Sequence, residues 1–146
     1  MKTILGWLGR LVLAGAFLYA GASKALDPQA FATDIDHYRL LPHPVVLAVS
    51  VYLPWLEIFC GLAVLARRRE RGALFVLGGL CVLFCAALAS AWFRGLDISC
   101  GCFGHATTAS VPVAFARSFI LGLVAVALLG VSRIPPAPAV ETPSAP

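Results

Sequence analysis

The sequence predicts an all-α fold: an integral membrane four-helix bundle with both termini cytoplasmic. Three observations carry that expectation. The 146 residues are 60% hydrophobic and only 12% charged, against roughly 45–50% apolar and about 25% charged in soluble domains. Four apolar runs, each close to the roughly 20 residues that span a bilayer, occupy almost the whole chain. The formal charge of +4 collects at the ends of those runs and is not interleaved with aromatics on one face, a pattern that argues against a nucleic-acid partner and sets topology instead. One transmembrane domain over 1–132 and a Pro-rich extended tail over 133–146 account for the length, with no internal repeat.

The first run extends from about Ile4 to Ala25. Arg10 interrupts it and Lys24-Ala25-Leu26-Asp27 makes a poor cleavage site, so the helix reads as a retained span and not a signal peptide. Arg10 lies near enough to one end to snorkel toward headgroups. Between Gln29 and His43, Phe31, Ile35, Tyr38 and Leu41 recur at helical spacing, which predicts a short amphipathic helix along the membrane surface, ended by Pro42 and Pro44. The second span, about Val45 to Ala66, contains Pro54 and closes at Arg67-Arg68-Arg69-Glu70-Arg71. The third, about Gly72 to Phe93, is rich in Gly, Ala, Ser and Cys, small residues that permit close helix approach where lipid supplies no hydrophobic drive. A polar stretch from Arg94 to Ser110 leads to the fourth span, opened by Ser110 and Pro112 and running to about Val131.

Lys and Arg in short loops set orientation. The connection from Arg67 to Arg71 carries four, and the other two loops carry few. Both termini are therefore expected in the cytoplasm. In a bacterium the chain would be a multi-pass inner-membrane protein with its polar loops on the periplasmic side, where disulfide chemistry is permitted.

Cys100-Gly101-Cys102 lies in the second of those loops. Two cysteines this close reach disulfide distance only through a tight turn, which Gly101 eases. The small, strained ring that results is of the exchange-active kind, and it removes little chain entropy as a structural staple. Thiol-disulfide exchange is the leading reading. A static disulfide is one alternative. Another is a soft-metal site in which Cys100, Cys102 and His105 offer two thiolates and an imidazole to copper(I) or zinc. Arg94, Lys24 or Arg117 would favour the reactive thiolate if close to it.

Glu57 falls about 18 Å into the second span, where an ionised carboxylate requires a partner or a function. Arg117 and Lys24 are the candidate partners. The pair is either a packing device or a polar site able to handle protons or hold a quinone head group. Cys81 and Cys85, at i and i+4 on the third span, form a candidate second redox pair whose helix geometry aims the sulfurs poorly, and Cys60 lies at a depth similar to Cys81. The bland reading of all three is small, inert hydrophobes. His37 and His43 read as solvent-exposed.

Lys24 with Asp27-Pro28 and Phe31, Tyr38-Arg39-Leu40-Leu41-Pro42, Leu53-Pro54-Trp55-Leu56-Glu57 with Gly61, and Cys100-Gly101-Cys102-Phe103-Gly104 together resemble the MauE family of methylamine-utilisation membrane proteins, within the wider DoxX-like group of four-helix membrane proteins. The resemblance covers about Ile4 to Gly130. It implies a role in maturing periplasmic disulfide-containing proteins, of the methylamine dehydrogenase small-subunit type, beside a thioredoxin-like partner. Ser118 departs from the Asn that the family pattern places after Arg117, so no role is carried over to that region. On this reading Cys100 and Cys102 cycle between dithiol and disulfide, with a membrane quinone as the candidate second redox partner. A metal-handling transporter and a non-catalytic assembly factor are the competing classes.

Overall fold

The computed structural model describes residues 2–67, 69–95 and 110–131. These fold into five helices with no strand among them: α1 (Lys2–Leu26), α2 (Pro28–His37), α3 (His43–Leu65), α4 (Glu70–Phe93) and α5 (Val111–Val131). The Pro-rich tail, and the cysteine pair with His105, lie outside the described residues.

Three helices, α3, α4 and α5, are long and apolar enough to cross a membrane. Helix α1 has the length but carries Arg10 and Lys24 in its interior and last turn. The long helices form a ring in which α1 packs on α3, α3 on α4, α4 on α5 and α5 on α1, with α1·α3 and α4·α5 the tightest pairs. Leu13, Ala14, Phe17, Val64, Leu74, Leu77, Cys81, Leu121, Ala125 and Leu128 fill its centre. Outside, large apolar side chains such as Phe59, Phe75, Val82, Leu83 and Ile120 are exposed. Arg10, Lys24 and Glu57 are buried. Charge within and hydrocarbon without suits a surface solvated by lipid.

Helix α2 forms where the apolar spacing places it. The Asp27 carboxylate caps it by accepting from the Ala30 amide at 3.0 Å, with Pro28 in the first turn. Its end differs from the expectation. It stops at His37, and the chain then turns through Arg39 in the left-handed region (φ 49°). Pro42 and Pro44 open α3 instead of closing α2: Pro42 is its N-cap and its carbonyl accepts from the Val46 amide at 3.2 Å. Phe31 and Ala32 are its buried residues, and the helix packs on α3 and more lightly on α1.

Arg10 is a second departure from expectation. Its Nε donates to Glu70 at 2.6 Å, both side chains being nearly buried, so it bridges α1 to the first turn of α4 and does not snorkel. The basic turn between α3 and α4 is tight, with Arg67 (φ 56°) and Arg69 (φ 52°) left-handed. The Arg67 guanidinium lies 5.7 Å from the centre of the Trp7 ring.

Helices α1 and α3 touch through glycine. A methyl group at Gly21 would lie 2.8 Å from the Pro54 carbonyl oxygen and 2.8 Å from Ile58 Cγ1, whereas one at Gly79 would meet nothing within 4 Å. Backbone cannot yield as a side chain can. Gly21→Ala is expected to cost about 1–3 kcal/mol of stability through overpacking. Gly79→Ala is expected to be neutral, or stabilising by up to about 1 kcal/mol through helix propensity. Thermal unfolding of the two variants in the same detergent checks the contrast; equal melting temperatures would contradict so close an approach.

Candidate functional site

The two helices that meet at Gly21 also bring Lys24 and Glu57 together. The Lys24 ammonium donates to Glu57 Oε1 at 2.7 Å and to Oε2 at 2.9 Å. Lys24 is 3% exposed and Glu57 fully buried. The same nitrogen sits 5.1 Å from the Phe31 ring centre and 4.9 Å from that of Phe84. One cation from α1 is thus held by a carboxylate of α3 and by aromatic faces of α2 and α4, partners that suit a desolvated ammonium.

Of the two candidate partners for Glu57, Lys24 makes these hydrogen bonds. Lys24 lies in the last turn of α1, which ends at Leu26. From His43 to Glu57, α3 rises about 21 Å, and α2 packs along it. Arg117, on α5 with its Nε buried, is near enough to Lys24 for the two like charges to act on each other.

A cavity of about 20 Å³ lies against the pair, lined by Lys24, Glu57, Cys81, Phe84, Ser118 and Leu121 among others. That is room for one water, which needs roughly 10–15 Å³. A quinone ring does not fit beside Glu57. Ser118, where the resemblance places Asn, is part of this lining.

Cys60, Cys81 and Cys85 are unbonded thiols, with Cys81 buried. Among the described residues no group of three or more His, Cys, Asp or Glu is placed to hold a metal. Cys100, Cys102 and His105, which carry the redox and the alternative metal readings, lie outside those residues, but the helix ends that lead to them are defined. Arg94, just past α4, donates from Nη1 to the Tyr38 carbonyl at 2.9 Å. Val111, opening α5, packs with Leu88 and Ala114 in a cluster that Tyr38 and Phe115 border. Both ends therefore meet beside the α2 terminus. Burial, and then the charge of Asp34, pushes the Tyr38 phenol above its usual range, so it is protonated at neutral pH.

The ammonium of Lys24 is held by Glu57, and the guanidinium of Arg94 donates to the Tyr38 carbonyl. Residues that the sequence reading missed are Phe84 and Glu70. Phe84 lies three residues from Cys81 on α4, a spacing that places both toward one side of the helix, but apolar composition alone does not mark it as a cation partner.

An all-helical bundle with lipid-facing apolar surface and an internal ion pair defines a multi-pass membrane protein. The chain belongs to the MauE family, the profile described as "Methylamine utilisation protein MauE" matching residues 2–131. It is 35% identical over 101 residues to the methylamine utilization protein MauE of Methylophilus methylotrophus, a match covering 68% of this chain and 51% of that protein. It is 28% identical over 124 residues to the MauE of Paracoccus denitrificans, covering 84% of this chain and 67% of that one. The chain thus spans about half the length of the first relative. No solved structure matches it.

Proposed function

We propose that this protein is a membrane thiol-disulfide redox protein that supports the maturation of disulfide-containing proteins outside the cytoplasm, together with a thioredoxin-like partner. The observation that carries the reading is the Cys100-Gly101-Cys102 pair, in a chain of a family named for methylamine utilisation, within a connection whose two ends converge on one end of the bundle. In this reading α1 is the fourth span and both termini are cytoplasmic. The Arg67 to Arg71 turn then faces inward and the cysteine pair faces the periplasm across the inner membrane. Residues 1–132 form the membrane domain and 133–146 an appended tail.

Exchange proceeds by in-line displacement at sulfur. One thiolate attacks a disulfide, a mixed disulfide forms as the first leaving thiolate departs, and the neighbouring thiolate displaces the second. Two electrons pass from dithiol to disulfide, and the two protons leave with the thiols oxidised and return to those formed. The Lys24–Glu57 pair acts at one remove, through Phe31 and Phe84, on the packing of α2 and of α4, the helix that leads into the connection.

Thiol trapping in intact cells tests both topology and chemistry. A membrane-impermeant alkylating reagent is expected to label Cys100 and Cys102 only after reduction, with protection returning once the reductant is removed. Labelling without reduction that bound copper(I) or zinc blocks would favour the metal reading, and labelling only from the cytoplasmic side would overturn the orientation.

A further inference from the structure

At the end of α4 away from the cysteine connection, Arg67-Arg68-Arg69-Glu70-Arg71 joins α3 to α4. The segment holds four arginines and one glutamate, and that glutamate already serves α1: its carboxylate accepts from Arg10 at 2.6 Å. The one acidic side chain of the turn is thus spent on a charge from another helix. Arg67 and Arg69 are exposed, and both adopt left-handed backbone (φ 56° and 52°), which interrupts the helical path between the two spans. The Arg67 guanidinium lies over the Trp7 ring of α1, 5.7 Å from its centre. Stacking uses the face of a guanidinium and leaves the N–H donors in its plane for a second partner. Trp7 itself is exposed, as are Leu11, one turn further along α1, and Leu62 and Leu65 in the last turn of α3.

We infer that this turn binds an anionic phospholipid, its phosphodiester held by Arg67 and Arg69 and its acyl chains lying against the exposed apolar side chains of α1 and α3. The site goes beyond the redox function proposed above and does not depend on the cysteines. Charge and surroundings together select the occupant. A guanidinium presents its donors as a fork that matches two oxygens of a phosphate, and it gives up its water more readily than an ammonium does. Basic clusters directly at the end of a span attract anionic lipid, and here the turn joins two helices apolar enough to cross a membrane. Tryptophan at the end of an apolar run settles at the level of the headgroups, so the stack on Trp7 sets Arg67 at the depth of the phosphates. A zwitterionic lipid brings its own cation, which the neighbouring arginines repel. A soluble acidic polypeptide would satisfy the arginines but not the apolar side chains beside them.

The test is native mass spectrometry of the purified full-length protein in a neutral detergent, titrated with phosphatidylglycerol or with phosphatidylcholine of the same acyl chains. Phosphatidylglycerol is expected to bind the parent about tenfold more tightly than phosphatidylcholine, and to raise its melting temperature where phosphatidylcholine does not. Arg67→Gln/Arg69→Gln should abolish that preference, leave phosphatidylcholine binding unchanged and keep the melting temperature of the lipid-free protein. Arg67→Lys/Arg69→Lys, which keeps the charge and loses the fork, should restore part of it. Arg69→Gln alone, a change at an exposed side chain, reads the same loss in smaller measure if the double variant does not fold. Equal affinity of the parent for the two lipids would overturn the assignment, and so would a preference for phosphatidylglycerol that survives in the glutamine variants. Polyglutamate bound by the parent and lost from the variants, with no preference between the lipids, would also overturn it and make the turn a docking site for acidic protein.

Discussion

Lys24→Met is expected to destabilise the bundle by on the order of 3–5 kcal/mol, because it strands the Glu57 carboxylate in the interior with both of its hydrogen bonds removed. Glu57→Leu should cost a similar amount from the other side. The informative molecule is the double variant Lys24→Met/Glu57→Leu. Buried ion pairs replaced by apolar residues of similar volume are often neutral or stabilising, so the pair of changes should recover most of what either single change loses. Unfolding in a detergent titration gives the three values and the coupling between them. If Lys24→Met alone is as stable as the parent, the ammonium does not hold α2, α3 and α4 together. If the double variant folds but no longer supports thiol exchange, the pair has a role beyond packing. The cation-holding rings add a second expectation: Phe84→Leu keeps apolar volume but removes one aromatic face, and should cost about 0.5–2 kcal/mol beyond its packing loss.

Cys100→Ser or Cys102→Ser is expected to abolish thiol exchange with a partner's disulfide, with the two variants failing differently. Losing the attacking sulfur leaves no covalent intermediate. Losing the resolving sulfur leaves the mixed disulfide without its exit, so a partner-linked species accumulates on non-reducing gels and disappears on reduction. That asymmetry assigns the attacker. Full function in both serine variants would mean that the connection docks a partner without exchanging electrons with it. Cys81→Ala and Cys85→Ala serve as controls and are expected to leave exchange unchanged, their sulfurs lying within the α4 helix as unbonded thiols.

The long helices were legible because lipid demands them. A span of about 20 apolar residues can satisfy its backbone in hydrocarbon only as a helix or within a closed barrel, so composition and run length are sufficient signals. Lys24 and Glu57 were legible individually, since a charge in an apolar run calls for explanation, and Lys24 was one of two candidates for the partnership it makes. Helix α2 showed in the spacing of Phe31, Ile35, Tyr38 and Leu41. Its end did not, because proline both terminates one helix and opens the next, and only the backbone shows that Pro42 caps α3.

Arg10 shows the limit most plainly. Near the end of an apolar run, a long cationic side chain can reach either headgroups or a buried carboxylate, and the choice depends on where the first turn of α4 sits. Glu70, inside a run of arginines, looked like one charge of a basic turn, and tertiary packing made it the partner at 2.6 Å.

By itself the sequence determined that the chain is helical, largely where its helices lie, that charges are buried among them, and that a cysteine pair lies in a polar connection. Those features depend on composition and local period, which each segment carries alone. Tertiary structure decided that Lys24 hydrogen-bonds Glu57, that Phe31 and Phe84 share its charge, and that a groove opens between α2, α3 and α4. Each of those needs residues tens of positions apart on different helices to meet within a few ångströms. That depends on how far α1 extends along α3 and how closely Gly21 lets them approach, which no single segment encodes.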